Sequence, residues 1–179
     1  MQRIFAFLLL IIASPIALLV SCMVVMSGFP IFFRQSRIGV NKTNFIIFKF
    51  RSMKDGKITT VGKIIRKTGL DEIPQLLNII RGEMNFVGPR PLTQSDVNRL
   101  NWEGEDHSIR WKVLPGITGP AQLVTVCDAD VSFRNDVHYI NNKSFGFDLK
   151  LFVLSCIIPF TGKNIGKKLI RSSTYERTS

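Results

Sequence analysis

The chain has 179 residues, enough for one domain-sized core but not for two large lobes. Its formal net charge of +11 makes a polyanion the expected partner, and nucleic acid, anionic lipid headgroups or a phosphorylated substrate would each satisfy it. Cys22, Cys127 and Cys156 outline no disulfide framework, and His107 and His138 have no second ligand at zinc-binding spacing, which leaves only a hard cation on carboxylates as a candidate metal.

From Ile4 to Phe33 there is no charged residue, a length that would reach ~45 Å as one helix, against ~30 Å for a bilayer core. Ser14-Pro15 interrupts the run. Proline removes one backbone bond and crowds the preceding turn, and a neighbouring serine hydroxyl can take up the freed carbonyl. Each arm is then too short to span alone, and Arg3 before the run and Arg34 and Arg37 after it are flanks of the cytoplasmic kind. These features predict a kinked, re-entrant segment over residues 1–33; a single tilted span that tolerates Pro15 is the alternative. Leu19-Val20-Ser21-Cys22 imitates a lipoprotein cleavage box, but the sequence stays apolar beyond Cys22, unlike a mature lipoprotein.

The next stretch is strongly basic. Arg34, Arg37, Lys42, Lys49, Arg51, Lys54, Lys57, Lys63, Arg66 and Lys67 meet only Asp55 before Asp71. Gly39-Val40-Asn41-Lys42 provides a turn between Gln35–Ile38 and Phe45–Phe48, which predicts a short β-hairpin. Val61–Lys67 reads as a helix ended by Gly69, and Ile73, Leu76, Leu77 and Ile80 repeat at helical spacing, predicting a helix over Pro74–Ile80 ended by Gly82. Asp71 and Glu72 fall in the joint between these helices. They either cap the second helix and complement its dipole, or carry chemistry beside Arg66 and Lys67.

Gly88-Pro89-Arg90-Pro91 is stiff, because each proline fixes its own φ and biases the residue before it, so Arg90 is held in one direction. Pro115–Pro120 is a second Pro/Gly turn, leading into the apolar run Ala121–Val126. Asp128-Ala129-Asp130 imitates a metal-binding triplet, on too few residues to carry weight. Phe147–Phe160 predicts an apolar helix too short to cross a membrane, in the core or at an interface, and Asp148 near its start is either a cap or a site residue. The tail from Lys163 to Arg171 is basic and reads as surface-lying, either a headgroup contact or a disordered end. Neither the dinucleotide nor the P-loop glycine fingerprint is present.

Five blocks in one order resemble the bacterial sugar transferases, the monotopic polyprenyl-phosphate phosphoglycosyl transferases. They are Arg34–Gly39, Lys49–Met53, Leu70–Leu76, Gly82–Pro91 and Pro115–Gly119. Ser14-Pro15 also looks like that family's helix-break-helix dipeptide. The resemblance implies a mainly α fold with a small β-hairpin (α+β): a re-entrant membrane hairpin over 1–33 and a compact, membrane-associated catalytic domain over 34–179. It further implies transfer of a sugar-1-phosphate from a UDP-sugar to undecaprenyl phosphate with release of UMP, at the cytoplasmic face of the bacterial inner membrane, with membrane lipids as partners. A homodimer is compatible with it. Asp71 would be the nucleophile, Glu72 a ligand for Mg2+, and Lys49, Arg51, Arg66 and Arg90 contacts for substrate phosphates. Asp148 is a further candidate for the site. The competing readings are a membrane-tethered nucleic-acid-binding module, which leaves the acid pair unexplained and is not favoured, and a non-catalytic scaffold of the same fold.

Overall fold

The structure, a computed structural model, describes residues 1–123 and 128–161, without the side chains of Gln122 and residues 158–161. Cys127, the end of the run Ala121–Val126 and the basic tail Lys163–Arg171 lie outside the described residues. The chain forms two compact units, the first of Met1–Arg37 with Asn44–Met84, the second of Ile38–Thr43 with the residues from Asn85 onward. Both are mainly helical with two-stranded sheets, the α+β class expected.

The first unit opens with helix α1, Gln2–Met26, which is long and apolar enough to cross a membrane. It runs through Pro15 as one element. Proline leaves the Ile11 carbonyl without its usual donor, and the Ser14 hydroxyl supplies one at 2.7 Å. Most of α1 is exposed, and only Ala6, Val20 and Val24 are buried. Val20 and Val24 pack with Phe50 and Ile65, and α1 lies against the turn and helix of the acid-pair region.

The predicted hairpin is present and longer than expected: β1, Phe32–Ile38, pairs with β2, Asn44–Phe50, around a 3-10 turn Val40–Lys42. A small antiparallel ribbon, β3 (Met53–Lys54) with β4 (Lys57–Ile58), leads into helix α2, Thr60–Thr68. The Thr59 side chain caps α2 by accepting from the Gly62 N–H at 2.9 Å. Gly69, at φ +73°, closes α2 in the left-handed conformation that favours glycine. The following helix differs from expectation. Leu70–Gln75 is a 3-10 segment and only α3, Leu76–Arg81, is α-helical, so Pro74 lies inside the 3-10 turn.

The second unit is built on a parallel pair, β5 (Asn85–Val87) with β6 (Gly116–Thr118), in register Asn85 to Gly116 and Val87 to Thr118. Helices α4 (Gln94–Leu100), α5 (Pro120–Leu123), α6 (Ala129–Asn142) and α7 (Phe145–Thr161) complete it, with a 3-10 segment over Glu105–Lys112. One core joins Val87, Leu123, Tyr139, Leu151 and Leu154, and another joins Ile38, Leu92, Val97, Trp102 and Trp111. Helix α7 is core on one side, through Leu151 and Leu154. At four-residue spacing it exposes Phe145, Leu149, Val153 and Ile157, so the core reading of this helix holds on one face and an apolar ridge is left on the other.

Candidate functional site

Gly69 is shared by two elements: it caps α2 and opens the 3-10 turn, so the basic last turn of α2, with Arg66 and Lys67, runs directly into Asp71 and Glu72. The Glu72 N–H donates to the Gly69 carbonyl at 3.1 Å, closing the joint. Strict alternation along β2 puts Lys49 on the face of buried Phe45 and Ile47, the wrong face for a solvated lysine. The 3-10 turn packs against β2, and Lys49 Nζ donates to Glu72 Oε1 at 2.5 Å.

A buried amide fixes this geometry. Asn78 is fully buried, its Nδ2 donates to the Ile46 carbonyl at 2.7 Å and to Glu83 Oε2 at 2.6 Å, and its Oδ1 accepts from the Phe48 N–H at 3.2 Å. It therefore clasps β2 one residue before Lys49 while standing on α3, three residues beyond the end of the acid-bearing turn.

Asp71 is buried, whereas Glu72 is half-exposed. Burial first, then the charge of Glu72, push the Asp71 carboxyl above the usual carboxylate range, and Lys49 and Arg66 pull it back by less. Flanking cations alone would have favoured ionisation; loss of water around Asp71 outweighs them. Arg51, just past β2, donates its backbone N–H to Ile31 at 2.9 Å and has a buried Nε with no hydrogen-bond partner. An orphaned guanidinium donor suits an incoming anion.

The structure thus brings Lys49, Arg66, Asp71 and Glu72 together within the first unit, where Arg51, Ser14 and Pro15 also lie. Arg90 and Asp148 belong to the second unit. The Arg90 side chain is exposed between buried Pro89 and Pro91. Asp148, in the first turn of α7, accepts from the Tyr139 hydroxyl at 2.8 Å. Asp128 is a helix cap: its Oδ1 accepts from the N–H groups of Asp130 (2.8 Å) and Val131 (3.1 Å), as an N-cap aspartate does.

Sequence reasoning missed Asn78, Arg110, Asp136 and Tyr139, whose importance comes from partners 5 to 52 positions away. For Tyr139 and Asp136 a signal existed in the register: they fall on the buried face of α6, where a purely apolar stripe would be usual.

No cluster of three or more histidine, cysteine or acidic side chains suited to a metal is found among the described residues. Magnesium asks for less, since it binds through one or two carboxylates together with substrate phosphates and water. The adjacent carboxylates of Asp71 and Glu72 in the 3-10 turn are donors of the kind such an ion takes.

A family model described as bacterial sugar transferase matches residues 1–162. The chain is 38% identical to the uncharacterized sugar transferase EpsL of Bacillus subtilis (strain 168), over 72% of this chain and 69% of that protein. It is 33% identical to the UDP-glucose:undecaprenyl-phosphate glucose-1-phosphate transferase of Escherichia coli (strain K12), over 88% of this chain and 39% of that one. It is 34% identical to the UDP-N-acetylgalactosamine-undecaprenyl-phosphate N-acetylgalactosaminephosphotransferase of Aeromonas hydrophila, over 83% and 40%. The chain therefore spans about two fifths of the length of the latter two relatives.

Proposed function

Because the chain belongs to the bacterial sugar transferase family, we propose that it is a phosphoglycosyl transferase, moving a sugar-1-phosphate from a UDP-sugar to undecaprenyl phosphate and releasing UMP. The observation that carries this reading is the buried Asp71 on a glycine-opened turn beside the Lys49–Glu72 ion pair, with Arg66 acting on the same carboxylate. A carboxylate held out of water among cations is suited to approach a diphosphate.

In the first step an Asp71 carboxylate oxygen attacks the sugar-side phosphorus. The bond from that phosphorus to the bridging oxygen breaks, and UMP leaves with the electron pair. In the second step the undecaprenyl phosphate oxygen attacks the same phosphorus, the carboxyl–phosphate bond breaks, and Asp71 is regenerated while the lipid diphosphate sugar forms. Lys49 orients Glu72, and Lys49, Arg51, Arg66 and Arg90 neutralise phosphate oxygens, Arg51 through its unpaired Nε. Mg2+ bound through Glu72 would supply Lewis-acid stabilisation of the diphosphate charge.

The membrane arrangement belongs to the same reading: α1 enters and leaves one face of the bilayer, and the catalytic unit works on the cytoplasmic side. What supports it is that both ends of α1 lie on the same unit. The Arg3 guanidinium fills the space that a side chain at Gly82 would need, Ala6 is buried, and Val20 and Val24 join the core with Phe50 and Ile65. A perpendicular span would carry Arg3 about 30 Å away from that unit. The exposed apolar residues of α1 and the ridge on α7 are surfaces for lipid.

The test is incubation of purified protein with Mg2+, undecaprenyl phosphate and a panel of UDP-sugars, reading UMP release. Wild type releases UMP with at least one donor, and with donor alone it carries labelled sugar phosphate at about one equivalent per chain. Asp71→Asn remains folded and loses both signals. Near-normal turnover by Asp71→Asn overturns the covalent route, and no UMP from any donor overturns the class of reaction.

A further inference from the structure

One deeply buried ion pair plays no part in the chemistry above. Arg110 and Asp136 are both almost fully buried, with Arg110 Nε donating to Asp136 Oδ2 at 2.8 Å. Removing two charges from water is costly, and an apolar pair of similar volume would often be at least as stable, so the arrangement points to a geometric task. The task is visible at the other end of the guanidinium. Its terminal nitrogen donates to the backbone carbonyl of Arg90, and its central carbon Cζ lies over the rings of Trp102 and Trp111, at 5.3 and 5.0 Å from their centres.

The same short segment is held elsewhere along its length. The Gly88 N–H donates to Thr118 at 2.9 Å, the Pro89 carbonyl accepts from Gly116 at 2.9 Å, and the Leu92 carbonyl accepts from Ile38 at 2.8 Å. Pro89, Pro91 and Leu92 are buried, and from Gly88 to Leu92 only the Arg90 side chain reaches solvent. A surface arginine normally rests on a backbone free to adjust. This one stands on a backbone fixed on both sides and beneath, and a side chain so presented loses less freedom when it meets a ligand.

We propose that Arg110, held by Asp136, is a positioning residue that presents the Arg90 guanidinium to a phosphate group of the substrate. The proposal rests on the reading of Arg90 as a phosphate contact. Both the UDP-sugar and the lipid phosphate carry that chemistry, so both KM values are read. Arg110→Lys keeps a cation for Asp136 but lacks the fork that reaches the Arg90 carbonyl as well.

The experiment is a double-mutant cycle on the detergent-solubilised full chain, using the UDP-sugar that supports turnover, with wild type, Arg90→Ala, Arg110→Lys and the double variant. Arg90→Ala raises one of the two KM values. Arg110→Lys raises the same one, roughly tenfold, with a smaller change in kcat, and has no further effect when Arg90 is already alanine. Equal effects of Arg110→Lys in the two backgrounds overturn the positioning role and leave a purely structural pair. An unchanged KM for both substrates in Arg90→Ala overturns instead the phosphate reading on which the proposal rests. Should Arg110→Lys not fold, Pro91→Ala loosens the same backbone without touching the ion pair, and the same dependence on Arg90 is required of it.

Discussion

Tyr139 shows how one buried polar atom ties three parts of the second unit together. Its hydroxyl lies 3.0 Å from the Val87 carbonyl at the end of β5 and 2.8 Å from Asp148 on α7, while the residue itself belongs to α6. Burial, then the hydrogen bond to Asp148 and that carboxylate's charge, push the phenol well above its usual value near 10. The neutral form is therefore the one that the fold retains. In the unfolded chain Tyr139 ionises near its ordinary value, so its contribution to stability is complete below about pH 10 and is lost as pH rises through the folded value. Tyr139→Phe is expected to cost about 1–2 kcal/mol near neutrality, through the unmet Val87 carbonyl and Asp148. Thermal melts at increasing pH should show the two proteins drawing together above about pH 10. A gap that stays constant would show that this hydroxyl does not titrate on unfolding.

At the scale of elements, what could be read from the chain was what local chemistry decides. Gly69 and Gly82 end their helices in left-handed geometry where expected, the hairpin turns at Gly39–Lys42, and α2 and α7 fall within two residues of their predicted ends. The acid pair falls in the joint between two helices, as expected, but the form of that joint was not legible: Leu70–Gln75 winds as a 3-10 turn because packing against β2 and α1 overrides a helical repeat only a few residues long. The parallel pair β5–β6 was invisible because its strands are three residues each and, just past β5, the backbones of Gly88 and Gly116 approach too closely for any side chain. The buried polar residues Asn135 and Asp136 hid the stripe of α6. A similar close approach sets α2, where a side chain at Gly62 would overlap the Ser52 carbonyl. Gly62→Ala should force α2 away from the segment after β2, at a cost of about 1–3 kcal/mol. Because Arg66 rides on α2, its activity should fall by more than an exposed control on the same helix, Lys63→Ala, read by UMP release and by melting temperature side by side. Parity between the two variants would mean that α2 does not need this contact.

At the scale of the whole molecule, the membrane arrangement proposed above rests on α1. Its exposed surface carries Ile4, Phe5, Phe7, Leu8, Ile12 and Leu18 among others, far more apolar area than water tolerates on one helix, yet Arg3 docks at Gly82, just past the end of α3, where the helix dipole favours a cation. In the re-entrant arrangement proposed above, two features would keep the start of α1 beside the unit that holds Asp71: the docking of Arg3, and the weakness introduced at Pro15, where one backbone bond is replaced by the Ser14 hydroxyl. Replacing Pro15 with Leu restores the missing bond and relieves a penalty of about 3 kcal/mol against a straight span, but leaves the Arg3 contact and the unfavourable passage of its charge. Conversion to a spanning form should therefore be partial in Pro15→Leu and larger when Arg3→Gln is added. With Cys22, Cys127 and Cys156 replaced by serine and a single cysteine at Gln2, an impermeant thiol reagent should label the parent protein only from the side of the unit that holds Asp71. Labelling should appear from the opposite side in Pro15→Leu and increase in the double variant. Opposite-side labelling of the parent itself would mean that α1 crosses the bilayer and that its contact with Gly82 does not persist there.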